Sequence, residues 1–352
     1  MDDALSTLLH DVRPRGALFD QSAFAPPWSL RFVEPTPLTL LTMLSGEAWV
    51  TPDGGEAVPL RPWDVMIVLG PEPYTVSDAP GTPPRLVVHG PDRCTTPDGR
   101  VVVGEQPICG YAPCPEGTEE TAEGAEGAEE TVLIKGTYQV SGSVSGRVLD
   151  ALPRIARIPM GAGGCPALDM IAYELDREAP GQQVVLDRLL DLLLVMSLRE
   201  WFELPEAQAP AWYRAQGDPM IGRALRLIHG DPARAWTVAG LATEAGASRA
   251  RFAQRFSDLM GQSPMAYLTE WRICRAADLL ARTDATVEAV SRQVGYSNAY
   301  ALSVAFKRTM GVRPSEHRAR SRGPVEQYDE WPAGNGKRGK ELRDYRIDRA
   351  AG

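Results

Sequence analysis

The stretch TVAGLATEAGASRARFAQRFSDLMGQSP at residues 237–264 decides the fold of the C-terminal part of this 352-residue chain. After roughly fifty residues it is answered by TVEAVSRQVGYSNAYALSVAFKRTMGVRP at residues 286–314. Each copy predicts two helices joined by a short turn, and a repeated unit of this kind is the one that places a helix in a DNA major groove. The sequence therefore predicts a tandem helix-turn-helix in a transcription regulator.

Local signals support both turns. Thr237 and Thr286 each stand where a side-chain oxygen can cap the first helix of a copy. Gly246 and Gly295 follow those helices at the point where the chain has to adopt a left-handed conformation, which glycine adopts at least cost. Both turns are therefore expected to be short and sharp.

The second helix of each copy divides into a packing face and a DNA face. In the first copy Phe252, Phe256 and Leu259 recur at i, i+4 and i+7, which predicts an apolar face packed on Leu241. The residues left for DNA in the first copy are Ser248, Arg249, Ala250, Ala253 and Gln254. In the second copy they are Asn298, Ala299, Tyr300, Ser303 and Val304, with Lys307, Arg308 and Arg313 placed for phosphates.

A single helix is predicted between the copies, from Pro264 to Arg282. At 1.5 Å per residue it would span about 28 Å, close to the roughly 34 Å between successive major grooves on one side of a duplex. One chain could thus contact two adjacent grooves.

These residues resemble the AraC/XylS family of bacterial transcription regulators, over about Met220 to Arg318. The runs that carry the resemblance are Gly295-Tyr296-Ser297-Asn298, Phe306-Lys307-Arg308 and Gly311-Val312-Arg313-Pro314. The resemblance implies base-reading positions at Ala250, Ala253 and Gln254, and at Ala299, Tyr300, Ser303 and Val304. Because several of these side chains are small or apolar, thymine methyl contacts and shape readout are expected to contribute more than hydrogen bonds. The same resemblance favours an activator over a repressor and makes RNA polymerase a candidate partner.

Charge separates the two halves of the chain. Residues 212–322 hold 17 Arg or Lys against 9 Asp or Glu, whereas residues 1–211 hold 14 against 31. The overall net charge of −9 therefore hides a basic module fused to an acidic one. This arrangement predicts double-stranded DNA as the partner of the C-terminal module.

Short apolar runs separated by proline and glycine predict strands in the N-terminal half. These runs are Leu38 to Leu44, Ala48 to Thr51, Val65 to Leu69, Tyr74 to Ser77 and Leu86 to His89. Their order, around Ser45-Gly46-Glu47-Ala48-Trp49-Val50 and Arg61-Pro62-Trp63-Asp64-Val65, resembles the cupin sensor domain of one subgroup of these regulators. The predicted fold class is accordingly α+β multidomain, with an N-terminal cupin-like β-barrel carrying helices and a C-terminal all-α tandem helix-turn-helix.

The predicted domain boundaries follow from these patterns. A cupin-like sensing and dimerisation domain is expected at 1–205, a linker at 206–219, the DNA-binding domain at 220–320 and a flexible tail at 321–352. Within the first domain, the glutamate-rich segment 115–131 is expected to be a flexible acidic loop. A helix at 182–203 is apolar over more than half its circumference, so it is either buried in the sensor domain or paired with a second chain, and a homodimer is favoured.

Histidines and cysteines limit the chemistry of the N-terminal domain. Only four histidines occur, widely separated, so neither an iron site nor another metal site is predicted, and no cofactor or enzymatic activity is expected. Cys109 and Cys114 stand close enough for a redox switch across a turn, but nothing nearby is strongly basic, so the favoured alternative is that both are ordinary small residues. The effector is therefore expected to be an unidentified small molecule or a redox signal. The alternative function is a cupin-type small-molecule-binding protein or enzyme with an accessory DNA-binding module.

The location is predicted from two further features. No apolar run reaches the roughly eighteen residues that a membrane span needs. The N-terminus lacks a basic start of the signal-peptide type. A cytoplasmic protein without a membrane partner is expected.

Overall fold

The computed structural model describes residues 26–90, 93–102, 131–140, 142–160, 164–175 and 179–321, the strands at 12–14 and 22–24, and the single residues Leu5, Leu9 and Arg177. The strands are β1 (Val12–Pro14), β2 (Ser22–Phe24), β3 (Ser29–Phe32), β4 (Leu38–Ser45), β5 (Ala48–Pro52), β6 (Val58–Leu60), β7 (Val65–Leu69), β8 (Tyr74–Ser77), β9 (Leu86–Gly90), β10 (Arg93–Thr95), β11 (Val101–Val102), β12 (Thr131–Val140) and β13 (Ile155–Ile158). The helices are α1 (Ser143–Leu149), α2 (Pro166–Leu175), α3 (Gln182–Glu203), α4 (Ala211–Arg214), α5 (Pro219–Gly230), α6 (Val238–Glu244), α7 (Arg249–Met260), α8 (Pro264–Arg282), α9 (Val287–Gln293), α10 (Ala299–Met310) and α11 (Pro314–Ser321).

The strands form two sheets. The first has the order β1-β12-β4-β7-β13, with β2 also paired to β12, and the second has the order β11-β10-β9-β3-β8-β5-β6. All pairings given for these strands are antiparallel except β3 with β9. The expected β-rich N-terminal domain is confirmed, but in the described residues its strands make two separate sheets and not one closed barrel.

Side-chain alternation on the first sheet separates two cores. On β4, Leu41 and Met43 join the apolar core between the sheets, whereas Leu38 and Leu40 join the core under the helices. Both faces of this sheet are therefore covered, since neighbouring side chains of a strand point to opposite faces. The close approach of α3 to β12 occurs at Gly136, where an added Cβ would lie 2.9 Å from the Leu190 side chain.

The core under the helices continues into the C-terminal half of the chain. It runs from the first sheet through α1 and α3 to Phe252, Phe256 and Trp271. Residues of the second repeat, among them Leu302 and Phe306, form a separate core with the C-terminal half of α8. The first repeat is thus packed with the N-terminal domain, while the second has its own core.

Helix α3 buries one side and exposes the other. Its buried side includes Leu190, Leu194 and Leu198, whereas Val185 and Leu192 stay more than 40% exposed. The buried side packs within the N-terminal domain. The exposed apolar side leaves a surface available for pairing with a second chain.

Two predicted segments extend beyond the described residues. Residues 115–130 of the predicted acidic loop lie outside them, and Thr131, the last residue assigned to that loop, is instead the first residue of β12. Of the predicted tail, only Ser321 is described, as the last residue of α11.

Candidate nucleic-acid interface

The first helix-turn-helix unit consists of α6 and α7. The Thr237 hydroxyl accepts a hydrogen bond from the Gly240 N–H at 3.0 Å, and the Ser248 hydroxyl accepts one from the Arg251 N–H at 3.4 Å. Gly246 takes φ 69° between the two helices. The caps and the glycine turn expected from the sequence are confirmed in this unit.

The packing face of α7 differs slightly from the expected one. Phe252 and Phe256 are fully buried, but the third buried residue is Met260, while Leu259 is only half-buried. Continuing the 3.6-residue period from Phe256 leads to a point between positions 259 and 260, and in the structure Met260 is the buried core residue while Leu259 packs at the edge of that core.

The opposite face of α7 is open to solvent. Ser248, Arg249, Ala250 and Gln254 are exposed and Ala253 is half-buried. The Gln254 side-chain N–H donates to the Asp258 carboxylate at 2.7 Å, which orients the amide group along the helix. The sequence-predicted residues of the first unit therefore share one accessible face.

The second unit, α9 and α10, repeats the same construction. The Thr286 hydroxyl accepts from the Ala289 N–H at 3.1 Å, and Gly295 takes φ 84° in the turn. Asn298 is exposed but its side-chain oxygen accepts from the Ala301 N–H at 2.8 Å, so this residue caps α10. Glu288 adds a second cap because its carboxylate accepts from the Ala299 N–H at 2.8 Å.

The accessible face of α10 carries the other predicted residues. Tyr300 is 79% exposed and Val304 is 52% exposed, whereas Ala299 and Ser303 are half-buried. The residues predicted for phosphate contacts, Lys307, Arg308 and Arg313, are all exposed.

Helix α8 joins the two units over the predicted span, Pro264 to Arg282. Its N-terminal half contributes Leu268 and Trp271 to the first core, and its C-terminal half contributes Ile273 and Leu280 to the second. One continuous helix therefore fixes the spacing of the two units.

Arg272 on α8 holds the units together, although no motif in the sequence marks it. Its guanidinium donates to the backbone oxygens of Pro232 at 2.7 Å and Arg234 at 2.9 Å, and lies 5.9 Å from the Tyr296 ring centroid. Burial lowers the pKa of this side chain. A loop of the first unit is thus tied to the turn of the second, which limits their relative rotation.

A second unforeseen contact connects the N-terminal domain to α8. The Asp278 carboxylate accepts hydrogen bonds from the backbone N–H groups of Ser143 at 2.5 Å and Val144 at 3.3 Å, at the start of α1. From α1, Arg147 reaches back over the Tyr267 ring, 5.4 Å from its centroid. The contacting side chains are separated by more than 100 residues in sequence, so no local pattern signals this contact.

His229 lies beside that contact in the interior. Its Nε2 is 2.7 Å from the Tyr267 hydroxyl and its ring centroid is 4.0 Å from that of Trp271. Burial, followed by the charge of Arg147, lowers the pKa of His229 to about 3. The imidazole is therefore neutral at neutral pH and serves as an uncharged hydrogen-bonding group.

The N-terminal domain holds a charged group between its two sheets. Lys135 is 3% exposed, its ammonium lies 3.1 Å from the Glu34 carboxylate, and it stands 4.7 Å from the Phe32 ring centroid. Tyr74 stacks on the same ring at 5.0 Å, and burial raises the pKa of its hydroxyl. A buried lysine and tyrosine thus lie in an otherwise apolar core, and the carboxylate that pairs with the lysine is 20% exposed at its edge.

The predicted redox pair, Cys109 and Cys114, lies outside the described residues. Cys94 on β10 is disulfide-bonded, and Cys165 and Cys274 are free thiols. In the described part of the chain, no group of three or more His, Cys, Asp or Glu side chains could hold a metal ion. None of the helices in that part is both long enough and apolar enough to cross a bilayer.

Comparison with known proteins agrees with this architecture. The family model described as cupin matches residues 3–203, and the model described as a helix-turn-helix domain matches residues 241–320. A putative AraC-like transcription regulator from Streptomyces lividans is 30% identical over 321 residues, which cover 90% of this chain and 98% of the relative. The regulator AlkR from Acinetobacter baylyi is 32% identical over 181 residues, covering 49% of this chain and 58% of the relative.

A solved structure is also similar to the C-terminal part. It is the DNA-binding domain of AdpA, a global transcriptional factor, in complex with a target DNA. The two chains are 30% identical with a TM-score of 0.29, over 31% of this chain and 99% of that one. The repeated unit, the cupin match and the near full-length similarity lead to one conclusion: the chain belongs to the AraC-like transcription regulators, with an N-terminal cupin domain and a C-terminal DNA-binding helix-turn-helix region.

Proposed function

We propose that this regulator recognises a specific operator through α7 and α10, responds to an effector through its N-terminal domain, and acts as a homodimer in the cytoplasm. The observation that carries the proposal is the pair of accessible helix faces, one on α7 and one on α10, held at a set spacing by α8. Base-edge contacts from such faces supply specificity, while the surrounding basic residues supply phosphate contacts.

The first test is selection of DNA by the full-length protein. Genomic fragments retained at about 150 mM salt, where weak phosphate-only binding is reduced, are sequenced. A shared motif is expected, and two copies at a fixed separation are expected if a dimer binds. Salt-sensitive retention without any motif would contradict specific recognition.

Two variants then test the helix faces. Gln254→Ala and Tyr300→Ala are each expected to weaken binding to the selected site by about five- to a hundredfold, the usual range for one base contact, with unchanged thermal stability. Gln183→Ala is the matched control. Like Gln254, Gln183 donates a hydrogen bond to an aspartate four residues later, Asp187, but it lies on an exposed helix surface of the N-terminal domain. Wild-type affinity in both test variants would refute the assignment of these faces.

Phosphate contact is tested separately with Arg313→Ala. Affinity is expected to fall for specific and non-specific DNA alike, and the slope of log affinity against log salt is expected to decrease by about one. Arg100→Ala, which removes an exposed, aspartate-paired arginine from the N-terminal domain, is the control. A slope equal to that of the wild type would contradict the phosphate role of Arg313.

Dimerisation is supported by the exposed apolar side chains of α2 and α3. Met170 and Tyr173 on α2 are more than half exposed, as is Val184 on α3, and Leu192 is 45% exposed. Such a group of apolar side chains is typical of a protein interface. Leu192→Glu is expected to shift the sedimenting species from dimer to monomer, whereas Val101→Glu, at an exposed valine of β11, should not. A wild-type sedimentation profile in Leu192→Glu would exclude this surface.

Response to an effector is supported by the cluster of buried Lys135 and Tyr74 with the partly exposed Glu34. Burying a charge is costly, so its presence between the sheets fits a role in recognising a polar ligand. Compounds that raise the melting temperature of the wild type but not of Lys135→Met would identify that ligand. An effector that binds without changing operator affinity would instead favour the alternative of a small-molecule-binding protein with an accessory DNA-binding module.

Activation is proposed as the regulatory outcome. In transcription reactions with purified RNA polymerase and a promoter that carries the selected site, the protein is expected to increase the amount of transcript. A decrease would identify a repressor.

A further inference from the structure

The two DNA-facing helices differ in chemistry. The accessible face of α7 presents the guanidinium of Arg249 and the amide of Gln254. On the corresponding face of α10 the Tyr300 side chain is 79% exposed and the Val304 side chain is 52% exposed. The first face thus offers a guanidinium and an amide, the latter bonded to Asp258, beside the small side chains of Ala250 and Ala253. The second offers an isopropyl group and an aromatic ring whose polar atom is the terminal hydroxyl oxygen.

The polar side chains near the face of α10 are already engaged within the protein. The Ser303 hydroxyl donates to the Ala299 backbone oxygen at 2.7 Å. The Asn298 side-chain oxygen accepts from the Ala301 N–H, and its side-chain N–H donates to the Ser297 hydroxyl at 3.3 Å. What extends outward from the face is therefore the Tyr300 ring with its phenolic hydroxyl at the tip and the isopropyl group of Val304, and the exposed Lys307 follows on the same side toward the C-terminal end.

These two side chains lie on the same side of the helix. Tyr300 and Val304 are four residues apart, which places one above the other along α10. The apolar feature of the major groove is the C5-methyl group of thymine, and the other base edges present hydrogen-bond donors and acceptors. The Val304 side chain and the carbon edge of the Tyr300 ring thus match the thymine methyl group, whereas Val304 offers no hydrogen-bonding partner to the polar edges of other bases.

We propose that the second helix-turn-helix unit recognises thymine through its methyl group, with Tyr300 and Val304 as the specificity-determining residues, while the first unit reads hydrogen-bonding base edges. This inference rests on the proposed function, because it requires that α10 enters the major groove. Under this proposal α7 and α10 of one chain recognise their bases by different kinds of contact.

The test compares two randomised duplex libraries that differ only in the C5-methyl group of thymine. One library is synthesised with thymidine and the other with deoxyuridine, which has the same hydrogen-bonding edge but lacks the methyl group. The full-length protein is expected to enrich a motif from the thymidine library. From the deoxyuridine library, the half contacted by α7 should persist, and the thymine preference in the half contacted by α10 should disappear.

Single substitutions in the selected site give the magnitude. Replacing one contacted thymidine by deoxyuridine in the α10 half is expected to weaken binding about fourfold, because the burial of one methyl group is lost. The same replacement in the α7 half should have little effect. The half that belongs to α7 is identified as the one whose sequence preference is lost in Gln254→Ala.

Variants separate side-chain contact from an effect of methyl groups on DNA shape. In the double variant Tyr300→Ala and Val304→Ala, thymidine and deoxyuridine should bind equally in the α10 half. Gln254→Ala should keep the full discrimination there. If the double variant still discriminates fourfold, DNA shape is responsible and the proposal is overturned.

The failure of this inference differs from the failure of the proposed function. A motif enriched equally well from both libraries would refute methyl recognition while leaving sequence-specific binding intact. Absence of any motif in either library would refute operator recognition itself and this inference with it.

Discussion

Replacing Asp278 with alanine should weaken the contact between the N-terminal domain and the DNA-binding region. The Asp278 side chain is 5% exposed, and its carboxylate accepts the hydrogen bonds of two backbone N–H groups, those of Ser143 and Val144. These groups belong to the first turn of α1, where helix N–H groups have no partner within the helix. Asp278 therefore caps a helix of the other domain.

The magnitude follows from the number and kind of these hydrogen bonds. A hydrogen bond to a charged group contributes about 1.5 to 3 kcal/mol, and loss of a helix cap costs about 1 to 2 kcal/mol. Because the two bonds share one carboxylate and are not additive, Asp278→Ala is expected to cost about 2 to 3 kcal/mol. Asp278→Asn keeps one acceptor oxygen and should cost about 1 kcal/mol.

Urea unfolding of the full-length protein measures the loss of stability, and hydrogen exchange shows where it arises. For a loss of about 2 to 3 kcal/mol, exchange at Ser143 and Val144 should accelerate about 30- to 150-fold in Asp278→Ala. Asp258→Ala, an exposed aspartate on α7, is the control.

Gly142→Ala tests the same contact from the other side, since its Cβ would lie 2.7 Å from the Asp278 carboxylate at a φ of 99°. A cost below about 0.5 kcal/mol in Asp278→Ala, with unchanged exchange at α1, would refute the reasoning, because surface substitutions lie in that range.

Three further predictions concern stability. The pKa of His229 is lowered by burial from 6.5 to about 3, so the stability it contributes is present above pH 6.5 and is lost as the pH falls towards 3. Between pH 7 and pH 5 the loss should be about 2 kcal/mol in urea titrations, and it should be absent in His229→Gln. Glu34→Gln leaves Lys135 buried without its charge partner and should cost about 3 kcal/mol, whereas Lys135→Met should change stability by less than about 1 kcal/mol; equal losses in thermal unfolding would contradict this. Gly246 and Gly295 both have positive φ, but an added Cβ meets open space at Gly246 and a backbone oxygen at 2.7 Å at Gly295. Gly246→Ala should therefore lower the stability by about 1 kcal/mol and Gly295→Ala by at least about 2 kcal/mol. The reverse order in melting experiments would contradict the close approach of an added Cβ at position 295 to that backbone oxygen.

The strands show which parts of the N-terminal fold could be predicted. The five predicted runs are all present as β4, β5, β7, β8 and β9, because each combines apolar residues with flanking turn signals. The longest strand, β12, was missed. It is covered on both faces and contains Lys135 and Gly136, so neither alternation nor composition marks it as a strand.

Local sequence signals are enough to predict the two helix-turn-helix units and the helix that joins them. Caps at Thr237 and Thr286, left-handed glycines in the turns and aromatic residues at i and i+4 act over a few residues, so they can be read directly from the chain. Their energies depend on local geometry, which the sequence specifies.

The contacts that hold the parts together are not predictable from such local signals and become visible in the folded chain. The pairing of Lys135 with Glu34 joins residues 101 positions apart, and that of Asp278 with Ser143 joins residues 135 apart. Such contacts depend on which elements meet after the sheets and helices have packed. The same packing determines which charged side chains are buried and therefore need a charged partner. A single sequence carries no periodic signal for partners so far apart, because a local pattern reports only the conformation of its own segment.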